Sequence, residues 1–185
     1  GWNIVEKNQA RISHLVMDML SFSKNREAAS EEMDAAAMVN EAMEILDSRA
    51  KEEGVRLSLS EAPGELICKG DSVALQHALL NVISNAIDAT SGREQGHVVV
   101  SLSVDEQLEE VQLGVQDNGV GMSDAVLAEI FSLFYSSKGS QGTGLGLAVS
   151  EKILHEHGGA IHVESTPDEG SRFLICWPHE PVESG

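Results

Sequence analysis

The chain has 185 residues and a formal net charge of −18, and 42% of its residues are hydrophobic but only 4% are aromatic. This length fits one ordinary domain with an appendage, and the core must be mainly aliphatic. The acidity disfavours nucleic acid and anionic membrane surfaces as general partners. No apolar run approaches the roughly 20 residues of a membrane-spanning helix, and no signal peptide is visible.

The N-terminal segment predicts one long amphipathic helix over residues 2–25, with apolar side chains at steps of three and four residues. Such a stripe must be buried against another element. Polar and acidic residues follow, and 26–33 are predicted to form a linker. Because the chain starts without Met, we expect it to be a fragment of a longer protein.

The rest of the chain predicts a mixture of helices and strands. Asp34, Asp71 and Ser123 each precede a helical segment and are predicted N-caps. Helices are predicted over 35–53, 72–90, 124–131 and from 147 onwards, and strands over 55–60, 65–68, 97–104, 110–116, 160–165 and 171–177. Because strict βαβ alternation is missing, we expect an α+β fold, a two-layer sandwich with a mixed β-sheet covered by helices on one face.

Two glycine-rich turns lie between residues 117 and 147. The first is Asp117-Asn118-Gly119-Val120-Gly121-Met122, and the second is Gly142-Thr143-Gly144-Leu145-Gly146-Leu147. Glycine lets the backbone approach a ligand, and a glycine turn that leads into a helix points free N–H groups at an anion. One such turn alone is as well explained by a tight turn, but two in one segment indicate a nucleotide cradle.

The second turn superficially resembles a dinucleotide-binding fingerprint. That fingerprint needs a strand before its glycines and an acidic residue about 20 positions later. A segment that carries Ser and Lys precedes these glycines instead, so we reject a dinucleotide site.

A third motif, Asn81-Val82-Ile83-Ser84-Asn85-Ala86, lies in the helix predicted over 72–90, and a fourth, Phe131-Ser132-Leu133-Phe134, lies between the glycine turns. Together the motifs resemble the N, G1, F and G2 boxes of the catalytic domain of sensor histidine kinases, in that order and with normal spacing. The resemblance covers about residues 30–178. The segments 85–89 and 134–138 are most similar to the nitrogen-regulator branch.

The resemblance implies the fold of the gyrase, histidine kinase and MutL ATPase superfamily, with ATP and Mg²⁺ as ligands. It divides the chain into residues 1–28, the second helix of a dimerisation hairpin, and residues 29–185, the catalytic ATP-binding domain. We expect the first helix of the hairpin, with its phosphoaccepting histidine, to be missing. His14 lacks the acidic and Pro-Leu context of that histidine and is expected to be an ordinary helix residue.

Three polar residues of the N-box helix are candidate ligands. Asn81, Asn85 and Asp88 are spaced to share one helix face, and apolar residues pack most of the other faces. By the resemblance, Asn85 gives an oxygen to Mg²⁺, Asn81 lies near the phosphates and Asp88 shapes the pocket. The alternative is a solvated helix face.

Asp117 is the candidate for base recognition. By the resemblance, its carboxylate accepts a hydrogen bond from the adenine 6-amino group and rejects guanine, whose 6-oxo group is itself an acceptor. Gly119 and Gly121 let the backbone approach the base, and Met122 is a candidate for apolar contact with it.

Residues 136–143 are predicted to form a short lid over the phosphates. By the resemblance, Lys138 contacts the β- or γ-phosphate; the alternative is a solvated loop lysine. Thr143 and Leu145, with Gly142, Gly144 and Gly146, place backbone N–H groups against the phosphates. Phe131, Phe134 and Tyr135 are expected to hold the lid by packing, with Tyr135 also at the nucleotide.

One missing residue bears on the mechanism. Related ATPases carry a glutamate where this chain has Asn81, and asparagine is no general base. That argues against a dedicated ATP hydrolase and against a serine kinase that uses the same glutamate. An imidazole is already nucleophilic when neutral, so the domain mainly positions ATP and neutralises charge, with Asn81 and Lys138 as catalytic candidates.

The resemblance therefore implies a two-component histidine kinase that is homodimeric and cytoplasmic, or the cytoplasmic part of a membrane-anchored sensor. It would pass the γ-phosphate of ATP to a histidine on its own hairpin and then to an aspartate of a response-regulator receiver domain. We expect this fragment to bind ATP without labelling itself. The alternatives are a slow ATPase that drives a conformational clock and a nucleotide-sensing module without transfer.

Overall fold

The computed structural model describes residues 31–135 and 144–179. The helix predicted over 2–25 and the candidate residues Lys138, Gly142 and Thr143 lie outside these described residues. The strands are β1 (Glu31–Asp34), β2 (Arg56–Glu61), β3 (Ile67–Gly70), β4 (His97–Asp105), β5 (Glu110–Asp117), β6 (Ala160–Thr166) and β7 (Gly170–Pro178). The helices are α1 (Ala35–Glu52), α2 (Ser72–Thr90), α3 (Asp124–Leu127) and α4 (Gly146–Glu156).

Five strands form one mixed sheet in the order β2-β4-β5-β7-β6, and β1 pairs with β3 in a separate two-stranded ribbon. β2 runs parallel to β4, and the other neighbours are antiparallel. Alternate side chains of the sheet, such as Val98 and Leu113, join one buried cluster with helix residues such as Leu79 and Val149. The two-layer α+β sandwich predicted from the sequence is therefore confirmed.

Two aspartates start the long helices and also connect distant segments. The Asp34 carboxylate accepts N–H bonds from Ala36 at 2.9 Å and from Leu66 at 3.0 Å, so it caps α1 and holds the β2–β3 connection. The Asp71 carboxylate accepts the Ala74 N–H at 3.0 Å at the start of α2. Both predicted caps are confirmed, because a side-chain oxygen satisfies helix N–H groups that have no intrahelical partner.

Three local predictions were wrong. Residues 31–34 form a strand rather than a linker, because Met33 is buried and the segment pairs with β3. The helix after Ser123 has four residues, and the Ser123 side chain makes no cap bond. Since pairing with β3 is a contact between segments far apart in sequence, local polarity could not reveal it.

His157 connects the end of α4 to the start of α2. Its Nε2 accepts the Asp71 N–H at 3.0 Å, and its Nδ1 lies 2.7 Å from the Ile153 carbonyl oxygen. With Nε2 as the acceptor, Nδ1 is the nitrogen that donates to the carbonyl oxygen. His157 therefore has a structural role at the junction of these two helices.

The two cysteines are buried free thiols. Burial raises the pKa of both thiols, that of Cys176 to about 11. The raised pKa keeps both thiols protonated and weakly reactive near neutral pH. Within 31–135 and 144–179, none of the helices has the length and apolar character needed to cross a membrane.

Replacing Asp34 by Ala should lower the free energy of unfolding by about 2 kcal/mol, because two N–H groups lose their acceptor. Urea denaturation would measure the change. Asp34→Asn keeps an acceptor oxygen and should recover most of the loss. The control is Asp47→Ala, which removes an exposed pair with Lys51 and should cost about 0.5 kcal/mol or less. Equal losses in the Asp34→Ala and Asp47→Ala variants would contradict the double role of Asp34.

Candidate functional site

Asp117 lies at the end of the central strand β5 and is only 4% exposed. Its Oδ1 accepts the Gly119 N–H at 2.7 Å, and the Ser171 backbone N–H also donates to the carboxylate. Burial raises the pKa of Asp117 above its ordinary value of 3.8, while these N–H groups and the nearby Arg93 and His97 lower it. The site therefore holds a buried hydrogen-bond acceptor at a strand end.

The loop after Asp117 packs directly on the end of α2. A Cβ atom on Gly119 would lie 2.6 Å from the Ala89 carbonyl oxygen, which is too close for any side chain. The same carbonyl accepts the Val120 N–H at 3.0 Å. The first glycine of the G1 box is thus required by contact between two backbone segments.

On its other side the same loop packs on the turn between β6 and β7. Gly121 has φ +63°, and a Cβ there would lie 1.9 Å from the Thr166 carbonyl oxygen. The Met122 N–H donates to Ser165 Oγ at 2.8 Å, and the Met122 side chain packs against the core. The G1 box is therefore clamped between α2 and the β6–β7 turn.

The three polar residues of the N box contact different neighbours. Asn81 is 8% exposed, and its Nδ2 donates to the Gly146 carbonyl oxygen at 3.2 Å and contacts Ser150 Oγ at 3.4 Å, both on α4. The Asp88 carboxylate forms an ion pair with Arg49 of α1. Asn85 lies between them on the helix and is half-buried. Asn81 thus connects the N-box helix to the start of α4.

The start of α4 differs from the starts of α1 and α2. Leu145, at the N-cap position, makes no side-chain cap bond, since leucine has no acceptor to offer. Gly146 begins the helix, and a Cβ there would be 3.5 Å from Asn81 Cγ. An uncapped helix start has a positive dipole end and favours an anion.

The ends of the predicted lid are held together. The Phe134 N–H donates to the Gly144 carbonyl oxygen at 2.9 Å, and Gly144 has φ +65°. Phe131 and Tyr135 pack against the core as predicted. The prediction for Phe134 was wrong, because its side chain is 75% exposed and only its backbone closes the segment.

A metal cage built by the protein is not found in the part of the chain that the structure describes, where no three His, Cys, Asp or Glu side chains are placed to hold an ion. Asn85 offers one hard amide oxygen. Mg²⁺ usually keeps waters and phosphate oxygens and takes few protein ligands, so this donor set fits a magnesium–nucleotide complex.

Sequence reasoning missed the residues that support the site. Arg49, Ser150 and Arg93 belong to no motif, and each reaches its partner across more than 35 positions. The β6–β7 turn was predicted, but not its contact with the G1 box. The Asp168-Glu169-Gly170 sequence predicts a turn and says nothing about the segment against which it packs.

Residues 70–181 match the family described as Histidine kinase-, DNA gyrase B-, and HSP90-like ATPase. The chain is 31% identical over 180 residues to the signal transduction histidine-protein kinase AtoS of Escherichia coli strain K12, in an alignment that covers 97% of this chain and 29% of that protein. It is 30% identical over 178 residues to sporulation kinase A of Bacillus subtilis strain 168, in an alignment that covers 96% of this chain and 28% of that protein. The chain thus spans less than a third of the length of these relatives.

The catalytic domain of the histidine kinase ThkA, solved in a nucleotide-free form, has the same fold. The two superpose with a TM-score of 0.72 and 26% sequence identity, covering 81% of this chain and 95% of that one. Assignment to the nitrogen-regulator branch stays a prediction.

Gly121→Ala should strongly destabilise the site, because a methyl group would meet the Thr166 carbonyl. Gly54→Ala is the matched control, since Gly54 has φ +70° but nothing within 4 Å of its Cβ position. We expect a loss of about 1–2 kcal/mol for Gly54→Ala from backbone conformation alone. For Gly121→Ala we expect about 3 kcal/mol or more. Similar losses in chemical denaturation would show that the turn does not press on the G1 box.

Proposed function

The chain belongs to the family of histidine kinase-, DNA gyrase B- and HSP90-like ATPases, and from this we propose that it is the ATP-binding catalytic domain of a two-component sensor histidine kinase. The observation that carries the proposal is the buried Asp117 carboxylate at the end of β5. It lies in a glycine loop clamped between the N-box helix and the β6–β7 turn.

We propose that Asp117 recognises the adenine base of ATP. Adenine presents an amino group at position 6 and guanine an oxygen, so a buried acceptor favours adenine. Guanine would leave two acceptors facing each other, and an unpaired buried charge costs several kcal/mol. Gly119, Gly121 and Met122 form the wall beside the base in this proposal, and Tyr135 lies at the edge of the lid.

The proposed phosphate end of the site is the start of α4. Leu145, Gly144 and Gly146 precede or begin this uncapped helix, whose N–H groups favour an anion. We extend the phosphate site to Gly142, Thr143 and Lys138 on the strength of their motif alone. Asn85 would hold Mg²⁺, which supplies charge neutralisation to the phosphates when bound. Positive charge from Mg²⁺, Lys138 and the helix start is needed in this proposal, because the chain as a whole is strongly acidic and repels a polyphosphate.

In this proposal the protein contributes to phosphoryl transfer mainly by positioning ATP. Asn81 is bonded to α4 through its amide nitrogen and offers no general base, which supports transfer to an external nucleophile rather than to water. We propose that the nucleophile is a histidine on a dimerisation hairpin in the homodimeric, cytoplasmic kinase region. A response-regulator aspartate would receive the phosphoryl group next. In this proposal residues 29–185 form the catalytic domain, and 1–28 belong to the hairpin.

The proposed activity is tested by incubating the chain with radiolabelled ATP, Mg²⁺ and a dimerisation hairpin from a histidine kinase supplied as a separate chain. We expect acid-labile, base-stable label on the hairpin, because imidazole attacks a γ-phosphate that the catalytic domain has positioned. An acceptor His→Ala hairpin is the matched control. Steady phosphate release that is the same with and without hairpin would contradict the proposal and support an ATPase.

A further inference from the structure

Arg93, in the loop between α2 and β4, bonds to the turn that presses on the G1 box. Its Nη1 donates to the Asp168 carbonyl oxygen at 3.1 Å, and its Nη2 lies 3.4 Å from the Asp168 carboxylate. Asp168 in turn donates its N–H to the Val120 carbonyl at 2.8 Å. Asp168 therefore connects two segments that are distant in sequence: Arg93 bonds to it from the loop after α2, and it bonds to Val120 in the loop after Asp117.

The turn held by Arg93 forms part of the environment of Asp117. Gly170 has φ +117°, and a Cβ there would lie 2.0 Å from the Asp117 carbonyl oxygen. Ser171, the next residue, donates its N–H to the Asp117 carboxylate. A shift of the turn would therefore move one hydrogen-bond donor of Asp117 and loosen the backbone contact at Gly121.

The two bonds of Arg93 differ in what they contribute. The Asp168 side chain is 93% exposed, and an ion pair this open to water adds little stability. The Arg93 side chain is only 30% exposed, and its other bond goes to a backbone carbonyl, which is present whatever residue occupies position 168. The important contact is with the backbone of the turn and not with the carboxylate.

The charge of Arg93 also acts on Asp117. Arg93 and His97 are the two basic groups that lower the pKa of this carboxyl group against the effect of burial. His97 lies at the start of β4 and, like Arg93, follows the N-box helix. An ionised Asp117 is the stronger acceptor for an amino group.

We propose that Arg93 is a positioning residue for base recognition: it holds the β6–β7 turn against the loop that follows Asp117. The inference rests on the proposed function, since it names a residue that acts through Asp117 on the bound adenine. Arg93 does not touch the base in this account.

The test compares Arg93→Gln with the wild-type chain by calorimetric titration with ATP and Mg²⁺ at a series of mildly acidic to neutral pH values. Asp117 must be ionised, so binding weakens as the pH falls through its pKa. Because Arg93 holds the turn that donates to Asp117 and lowers the pKa of this carboxyl group, its loss should reduce ATP affinity and move the weakening to higher pH. Arg93→Lys keeps the charge and should stay closer to the wild-type midpoint.

Two matched variants separate this effect from general changes. Arg172→Gln removes the same charge from an exposed position on β7, and Asp168→Asn removes only the exposed carboxylate. In both variants, ATP binding should weaken at the same pH as in the wild-type chain. If the wild-type chain binds ATP but binding weakens at the same pH in Arg93→Gln and Arg172→Gln, the inference is overturned and the proposed function is not. No ATP binding by the wild-type chain at any pH would instead contradict the proposed function.

Discussion

Several elements of this domain converge on one buried carboxylate, that of Asp117. Burial of an ionised group is costly unless donors surround it, and here two backbone N–H groups and two basic side chains do so. The donors come from the G1 loop and from β7, so the sheet register, the end of α2 and the β6–β7 turn must all be in place. This much support around a buried acceptor agrees with the proposed role of Asp117 in ligand recognition.

The rest of the site consists of backbone surfaces that fit only because glycine occupies the contacts. Gly119 faces the end of α2, Gly121 faces the β6–β7 turn and Gly144 faces the backbone of Phe134. Asn81 joins the N-box helix to α4, so both proposed ends of the site, for the base and for the phosphates, contact one helix. In the proposed function, this uncapped helix start is where a domain of strongly acidic composition binds a polyphosphate.

Features set by local chemistry could be predicted from the sequence, and features set by distant contacts could not. Asp34 and Asp71 cap helices because each lies directly before one. The two-layer sandwich was predicted because helices and strands mix without strict βαβ alternation. Strand β1 was missed because its partner lies more than 30 residues away. The exposure of Phe134 and the contacts of Arg93 likewise depend on the folded chain. The ligand roles of the motif residues stay predictions, since they rest on the resemblance.

The most direct test of the account is calorimetric titration of the wild-type chain and Asp117→Asn with magnesium complexes of ATP and GTP analogues. The account predicts that the wild-type chain binds the ATP analogue and discriminates against the GTP analogue. The variant should lose at least about tenfold in ATP affinity, close to 1.4 kcal/mol, because a charged acceptor has been replaced. Asp124→Asn, at an exposed position nearby, should change neither value. Equal binding of the ATP analogue by the wild-type chain and Asp117→Asn would contradict the claim that this carboxylate reads the base.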